Sequence, residues 1–262
     1  MEKGFSSTTK YLLKYLEDEK KDVDLYVKRN LQHSYYEFKT KEEIDEIFAY
    51  TVHEFLKSIS FEEEQDLKAY TGYQFRNINA ILRNKWNYEA NGILTEDKKE
   101  EYLLLAERIR KALMHAKTLS VSIKAYRGVS IEAFYDYQIY TLQDLTYLKD
   151  KYLFEDVFTS TSLLKEKCFY EKDVYTLNRK PNILIEYFIP SDSCDGILLT
   201  SELSYSESQQ EFLIQSSSLF QVIDVRIDEE KNTALLKVIL IPEKVWNYQD
   251  YIREREDLTR DR

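Results

Sequence analysis

The apolar residues in the first part of the chain recur at intervals of three and four positions. In the stretch Glu42–Ile59 this spacing places them on one face of an amphipathic helix. The stretches Tyr73–Arg83 and Lys98–Lys117 repeat the pattern. Roughly the first 120 residues are therefore expected to be mainly helical.

After Ser120 the pattern changes to short runs of β-branched and aromatic residues, which are typical of strands. The predicted strands are Val121–Arg127, Val157–Thr161, Ile183–Ile189, Ile197–Ser201, Glu211–Gln215, Leu219–Ile227 and Ala234–Ile241. A short helix is predicted among them at Leu142–Leu148. Helices followed by strands, rather than an alternation of the two, indicate the α+β class.

The sequence contains no internal repeat and no linker rich in Pro, Gly or Ser. We therefore expect one main domain over residues 61–245, with residues 1–60 as a helical extension packed on it. Residues 246–262 form a tail of mixed charge, which is typical of a solvated chain end.

Composition excludes several classes of protein. With five glycines and three prolines in 262 residues, a fold built on Gly-rich phosphate loops is not expected. The formal net charge of −10 argues against a broad surface for nucleic acid. The two cysteines, Cys168 and Cys194, are too few for a disulfide scaffold, and the three histidines lack the spacing of a metal site.

The amino terminus lacks the apolar stretch of a signal peptide, and no run approaches the ~20 apolar residues of a membrane span. From the sequence we expect a soluble protein.

Three short segments among the predicted strands carry polar side chains that suggest chemistry. They are Tyr126-Arg127-Gly128, the hydroxyl-rich Ser160-Thr161-Ser162, and Gln209-Gln210-Glu211. Each segment alone is uninformative, because arginine and glutamate are mostly surface residues and serine is common in strands. Their order and their placement on predicted strands make the combination specific.

In this order the segments resemble the ADP-ribosyltransferase exoenzymes of the Arg-Ser-Glu class. That family includes clostridial Rho-modifying exoenzymes and the catalytic domain of actin-modifying binary toxins. The segment from Tyr70 to Arg83 resembles the helix that precedes the sheet in the clostridial enzymes. The resemblance implies helices followed by a mixed, mostly antiparallel two-sheet β core with a cleft for NAD.

The resemblance also implies a role for each matching residue. Glu211 would stabilise the cation that develops on the ribose, Ser160 would orient that carboxylate, and Gln209 would face the acceptor. The residues implied in NAD binding are Arg127, Tyr70, Asn79, Arg83, Gly128, Thr161, Ser162 and Phe169. In NAD the nicotinamide group is already cationic, so it can leave without activation by a metal ion, and no metal is expected. Many relatives carry a second arginine where this chain has Gly128, and Lys172 or Arg76 is a candidate to replace it.

The residue two positions before Glu211 bears on the acceptor. Relatives that modify asparagine on Rho-type GTPases have Gln there, whereas relatives that modify arginine have Glu, so Gln209 favours an Asn or Gln acceptor. Glu207 keeps an arginine-specific phage or bacterial enzyme open as an alternative. The expected partner is a target protein, namely a small GTPase, actin or a bacterial host protein. The chain itself is expected to be a monomer that acts in the cytoplasm of a target or host cell after non-classical delivery.

Two further hypotheses share the same residues. An NAD glycohydrolase would use water as the acceptor and would not need Gln209. A binding module that had lost activity would not need Arg127, Ser160 and Glu211, all of which are present.

Overall fold

The computed structural model describes residues 22–83, 95–168, 182–193, 196–204 and 210–246. The α-helices are α1 (residues 22–30), α2 (Lys41–Ser58), α3 (Phe61–Ala69), α4 (Phe75–Leu82), α5 (Glu96–Leu113) and α6 (Glu243–Trp246). A π-helix covers Tyr70–Gln74, and 3-10 helices cover Ile131–Tyr137, Gln143–Leu148 and Lys165–Lys167. Within these ranges no helix combines the length and apolarity needed to cross a bilayer.

The strands follow α5 in the chain and form a mixed sheet. They are β1 (Ile123–Val129), β2 (Tyr152–Glu155), β3 (Thr159–Ser162), β4 (Ile183–Ile189), β5 (Gly196–Leu198), β6 (Glu211–Ile214), β7 (Ser218–Asp228) and β8 (Thr233–Ile241). Their order in the sheet is β2-β7-β8-β4-β1-β3-β6-β5, and only the β4–β8 pair among them is parallel. The predicted α+β class with a mostly antiparallel β core is confirmed.

The two sheets expected from the sequence are hydrogen-bonded into one. Strands β2, β7, β8, β4 and β1 form one part, and β3, β6 and β5 form the other. A single register pair, Tyr126 with Ser162, joins β1 to β3 between the two parts. The described residues of the three polar segments therefore lie near this junction.

Side-chain caps explain where the helices begin. The hydroxyl of Thr40 accepts a hydrogen bond from the Glu43 amide, so α2 begins at Lys41, one residue before its predicted start. Thr95 accepts from the Lys98 amide in the same way, so α5 starts two residues before the predicted start, and it ends at Leu113 rather than Lys117. The third predicted helix is divided, because its first residues belong to the π-helix and only Phe75–Leu82 is α-helical.

Several elements escaped the sequence analysis. Helix α3 buries only Asp66 and Leu67, so it shows no apolar stripe. It is held instead by a capping box between Ser60 and Glu63 and by a bidentate ion pair, at 2.6 and 2.9 Å, from Arg108 of α5 to Asp66. The 3-10 helix Ile131–Tyr137 and the four-residue β2 were also missed, whereas α1 lies in the amino-terminal region that was expected to be helical.

The core contains a larger and a smaller cluster of buried side chains, besides a third group of three residues, Tyr126, Cys168 and Leu184. In the larger cluster, Phe48 of α2 packs on Phe212 of β6 with ring centroids 5.9 Å apart. In the smaller cluster, Val23 and Val27 of α1 pack with Trp246 of α6 and with apolar residues of β7 and β8. Helix α1 is therefore part of the folded unit.

Candidate active site

Arg127 lies on β1 in the middle of the sheet. It is half-buried and opposite Ile185 of β4, so Tyr187, two residues further along β4, is on the same face. Burial acts to lower the pKa of the Arg127 guanidinium, but a hydrogen bond with Tyr187 and the nearby Glu155 and Tyr70 outweigh it and raise the pKa overall. The site therefore keeps a fixed positive charge inside the protein.

Glu211 begins β6 and is 9% exposed. It lies opposite Ser162 of β3 and diagonal to Ser160, so the three side chains share one face of the β3–β6 pair. Burial raises the pKa of the Glu211 carboxyl, while a hydrogen bond with Ser160 and the charge of Arg127 act against that rise. The structure thus brings together Arg127, Ser160 and Glu211, as the sequence order suggested.

Tyr70 connects the helical region to this site. Its hydroxyl donates to the Phe158 carbonyl at 3.3 Å and accepts from the Asn79 side-chain amide at 3.2 Å. Burial raises the pKa of Tyr70 to about 12. The hydrogen bond with Asn79 opposes this rise, and the charge of Glu211 adds to it. The Tyr70 hydroxyl is also hydrogen-bonded with Ser160. Tyr70 is 1% exposed, and its hydroxyl links Asn79 with Ser160.

The π-helix supplies this arrangement. Tyr70 begins it and Asn79 lies one element later, on α4, yet their side chains meet. A π-turn inside a helix is uncommon and is found often at functional sites. Tyr70 and Asn79 are therefore brought together by a backbone that departs from regular α-helical geometry.

Arg83 and Glu155 form an ion pair at 3.2 Å at the edge of a cleft. The cleft has a volume of about 480 Å³ including the space open to solvent. Its lining residues are Arg83, Arg127, Val129, Ala133, Phe134, Tyr137, Leu153, Glu155, Ile185, Tyr187, Phe220 and Val238. Two guanidinium groups above an apolar floor suit a ligand that combines phosphates with a flat apolar group.

Three polar residues of this cleft were not predicted as site residues. Glu155 lies on the missed strand β2, and Tyr137 lies in a missed 3-10 helix. Tyr187 belongs to a predicted strand, but its contact with Arg127 depends on the β1–β4 register, which local patterns do not encode. The sequence signal that could have identified Glu155 is a short apolar run that ends in a single glutamate.

The other predicted residues are placed as follows. The Thr161 hydroxyl donates to the Phe212 carbonyl at 2.7 Å, and the Ser162 hydroxyl donates to the Leu164 carbonyl at 2.9 Å. Both hydroxyls therefore fix the backbone around β3. Gly128 is half-buried in β1, opposite Leu184 of β4.

Gln209 and Phe169 lie outside the described residues, as does Lys172. The backbone of the neighbouring Gln210 is left-handed, with φ 48°, and its carbonyl accepts from the Leu163 amide at 3.0 Å. The entry of the chain into β6 is thereby fixed immediately before Glu211. Across the part of the chain that is described, no group of three His, Cys, Asp or Glu side chains is placed to hold a metal ion.

Comparison with known proteins identifies the family of this chain. The model of the ADP-ribosyltransferase exoenzyme family matches residues 49–241. Among curated proteins, none matches the sequence.

Solved structures with the same fold include three bacterial enzymes. The C3 exoenzyme from Clostridium limosum has 22% identity and a TM-score of 0.55, with 80% of this chain and 98% of that chain covered. An ADP-ribosyltransferase toxin from Paenibacillus larvae has 20% identity and a TM-score of 0.55, with 75% and 96% covered. The ADP-ribosyltransferase Vis from Vibrio splendidus, solved with agmatine, has 18% identity and a TM-score of 0.56, with 79% and 88% covered.

Proposed function

The chain belongs to the ADP-ribosyltransferase exoenzyme family, and from that premise we propose that it transfers ADP-ribose from NAD to an asparagine or glutamine of a target protein. The observation that carries the proposal is the meeting of Arg127, Ser160 and Glu211 where β1, β3 and β6 converge. As a member of the family it is an NAD-dependent transferase. The acceptor and the target are the proposed part.

Glu211 has the chemistry to stabilise the reacting sugar. When the bond between nicotinamide and C1′ of the ribose breaks, its electron pair leaves with the nicotinamide and positive charge develops on the ribose. A buried carboxylate stabilises such a charge strongly, because little water screens it. The acceptor nitrogen then bonds to C1′ and releases a proton, which the Glu211 carboxylate is available to take.

Ser160 and Tyr70 would keep that carboxylate in place. Ser160 hydrogen-bonds both Glu211 and Tyr70, and Tyr70 is anchored to the Phe158 carbonyl. A carboxylate that is already oriented needs no rearrangement as charge develops. This supports a positioning role for both hydroxyls.

Arg127 and Arg83 are suited to the pyrophosphate. Both line the cleft, and a guanidinium forms paired hydrogen bonds with phosphate oxygens, which an ammonium group does not. Because Gly128 carries no side chain, we propose that Arg83 supplies the second cation.

Gln209 supports an amide acceptor, since a carboxamide side chain both donates to and accepts from another carboxamide. The agmatine held by Vis carries a guanidinium group, so an arginine acceptor is the alternative, with Glu207 as its partner residue. The target would be a small GTPase, actin or a bacterial host protein. Hydrolysis of NAD by water is proposed as a side activity of the same site.

The test is incubation of the purified protein with labelled NAD and with bacterial and eukaryotic lysates. We expect labelled protein in one lysate and none with the Glu211→Gln variant, and mass spectrometry should place the ADP-ribose on Asn or Gln. Label on arginine would contradict the proposed acceptor. Release of nicotinamide without labelled protein in either lysate would identify a glycohydrolase instead.

A further inference from the structure

Glu155 places a negative charge inside the cleft that the arginines make positive. Among the described lining residues the charged ones are Arg83, Arg127 and Glu155, and Glu155 is paired with Arg83 at 3.2 Å. The pair is partly accessible, with side-chain exposures of 38% for Arg83 and 29% for Glu155. A ligand that enters the cleft therefore meets both charges.

Besides pairing with Arg83, the Glu155 carboxylate acts on three other polar groups that line the cleft. It helps to raise the pKa of Arg127, and it adds to the effect of burial, which is larger, in raising the pKa values of Tyr137 and Tyr187. An anion whose field reaches these groups also acts on an anionic ligand among them.

The backbone around Glu155 is held firmly. The Tyr137 hydroxyl accepts from the Phe154 amide at 2.8 Å and donates to the Phe154 carbonyl at 3.1 Å. Two residues earlier, the Tyr152 hydroxyl donates to Asp24 of α1 at 3.0 Å. The backbone that carries the Glu155 carboxylate is thus fixed at the cleft, and the ion pair with Arg83 holds the side chain there.

We propose that Glu155 is a specificity-determining residue that makes the cleft select NAD over its 2′-phosphorylated form, NADP. The proposal rests on the proposed function, because it concerns the nucleotide of that same site. With Glu155 paired to Arg83, the charged groups of the described lining sum to +1, so the cleft attracts a pyrophosphate but attracts a further phosphate dianion less than two unpaired guanidinium groups would. A carboxylate also accepts hydrogen bonds from ribose hydroxyls, and in dinucleotide sites of other folds this distinguishes the free 2′-hydroxyl from the phosphorylated one.

The experiment measures dissociation constants for NAD and NADP by calorimetry. All proteins carry Glu211→Gln, so that neither nucleotide is consumed. We expect this background to bind NAD at least tenfold more tightly than NADP, and Glu155→Gln to reduce that ratio about tenfold. Glu155→Asp, which keeps the charge, should retain the discrimination.

Glu46→Gln is the matched control. Glu46 is exposed on α2, which packs on β6 through Phe212, on the face opposite Glu211. Glu46→Gln changes the net charge of the protein by the same amount as Glu155→Gln, and it should leave the ratio of the NADP and NAD dissociation constants unchanged. An equal effect of Glu46→Gln, or an unchanged ratio in Glu155→Gln with a normal melting temperature, would overturn the role of Glu155 alone. Failure of the background to bind NAD would overturn the proposed function as well.

Discussion

Tyr187 hydrogen-bonds the guanidinium of Arg127 from the neighbouring strand β4. Its ring packs edge-on against Phe220, with centroids 5.3 Å apart, so the hydroxyl is held by a buried ring. The guanidinium group of Arg127 is thereby oriented before a phosphate group binds to it. A side chain that is already oriented loses less conformational entropy when the ligand binds, so the affinity for the ligand is higher.

Tyr187→Phe should therefore weaken NAD binding while leaving turnover at saturating NAD nearly unchanged. The loss of one hydrogen bond to a charged group predicts a dissociation constant for NAD roughly 10-fold higher. Phenylalanine preserves the packing on Phe220. Tyr26→Phe, which removes a hydroxyl on α1 that donates to Asp192 at 2.8 Å, is the control and should leave NAD affinity unchanged. A fall in kcat at constant KM would contradict the positioning role.

Glu211→Gln should separate binding from chemistry. Glutamine keeps the size and the hydrogen-bonding capacity but removes the charge that stabilises the ribose cation. Turnover should fall by about 10²–10³-fold or more, with NAD affinity within about threefold of the original. Nicotinamide release and NAD binding are measured separately on the same preparation. Near-normal turnover would exclude Glu211 as the catalytic carboxylate.

The acidic limb of the rate profile should respond to Ser160. The reaction needs the Glu211 carboxylate in its ionised form, so the rate falls as the pH drops through its pKa, which burial holds above the ordinary value for Glu. The hydrogen bond from Ser160 lowers that pKa, so Ser160→Ala should raise it and shift the acidic limb towards higher pH. Ser218→Ala, which removes a hydroxyl that donates to Gln215 at 2.6 Å, is the control. A shift towards lower pH would show that Ser160 does not act on the carboxylate.

Gly196→Ala should destabilise the sheet that carries Glu211. A Cβ at position 196 would lie 2.6 Å from a ring carbon of Phe212 and 2.7 Å from the Leu213 carbonyl oxygen, and the backbone oxygen has no room to move. Overpacking of this kind costs about 1–3 kcal/mol in the free energy of unfolding, which denaturant titration detects. Ser201→Ala, at an exposed turn position after β5, should cost far less. Equal stability of the two variants would mean that β5 relaxes away from β6.

Local patterns were sufficient for much of this fold. Strand β4 occupies Ile183–Ile189 as predicted, because this stretch is an almost unbroken apolar run. Helix α2 differs from its prediction by one residue at each end, because its apolar residues have clear helical periodicity. Helix α3 was not delimited within the region expected to be helical, because it has no apolar stripe, although its Ser60–Glu63 capping box is a local signal. Its ion pair with Arg108 comes from a distant segment, as does the bond of Tyr137 to Phe154 that supports the missed strand β2.

The candidate site was predictable for a different reason. Arg127, Ser160 and Glu211 were identified from their order and from the resemblance. The β3–β6 register places Ser160 and Glu211 on one face, and the charge of Arg127 acts on the Glu211 carboxyl, so the three groups lie close together. Glu155 and Tyr187 could not be found in this way. Both side chains come near Arg127 only when strands that are far apart in the sequence pair with one another, so no single segment of the sequence indicates their proximity.

Gln209 remains the sequence-based prediction that decides the acceptor. It lies two residues before Glu211, and the left-handed Gln210 between them turns the backbone as it enters β6, so we expect the two side chains to serve different substrates. Gln209→Ala should then retain slow hydrolysis of NAD, since water needs little orientation, while protein labelling falls steeply because the acceptor amide loses its positioning hydrogen bond. Gln209→Glu should permit weak labelling of arginine, because a carboxylate pairs with a guanidinium. The measurement compares nicotinamide release with labelled-protein formation for the original protein and both variants. If Gln209→Ala lowers both in equal proportion, Gln209 belongs to the NAD site, and the preference for an Asn or Gln acceptor loses its basis.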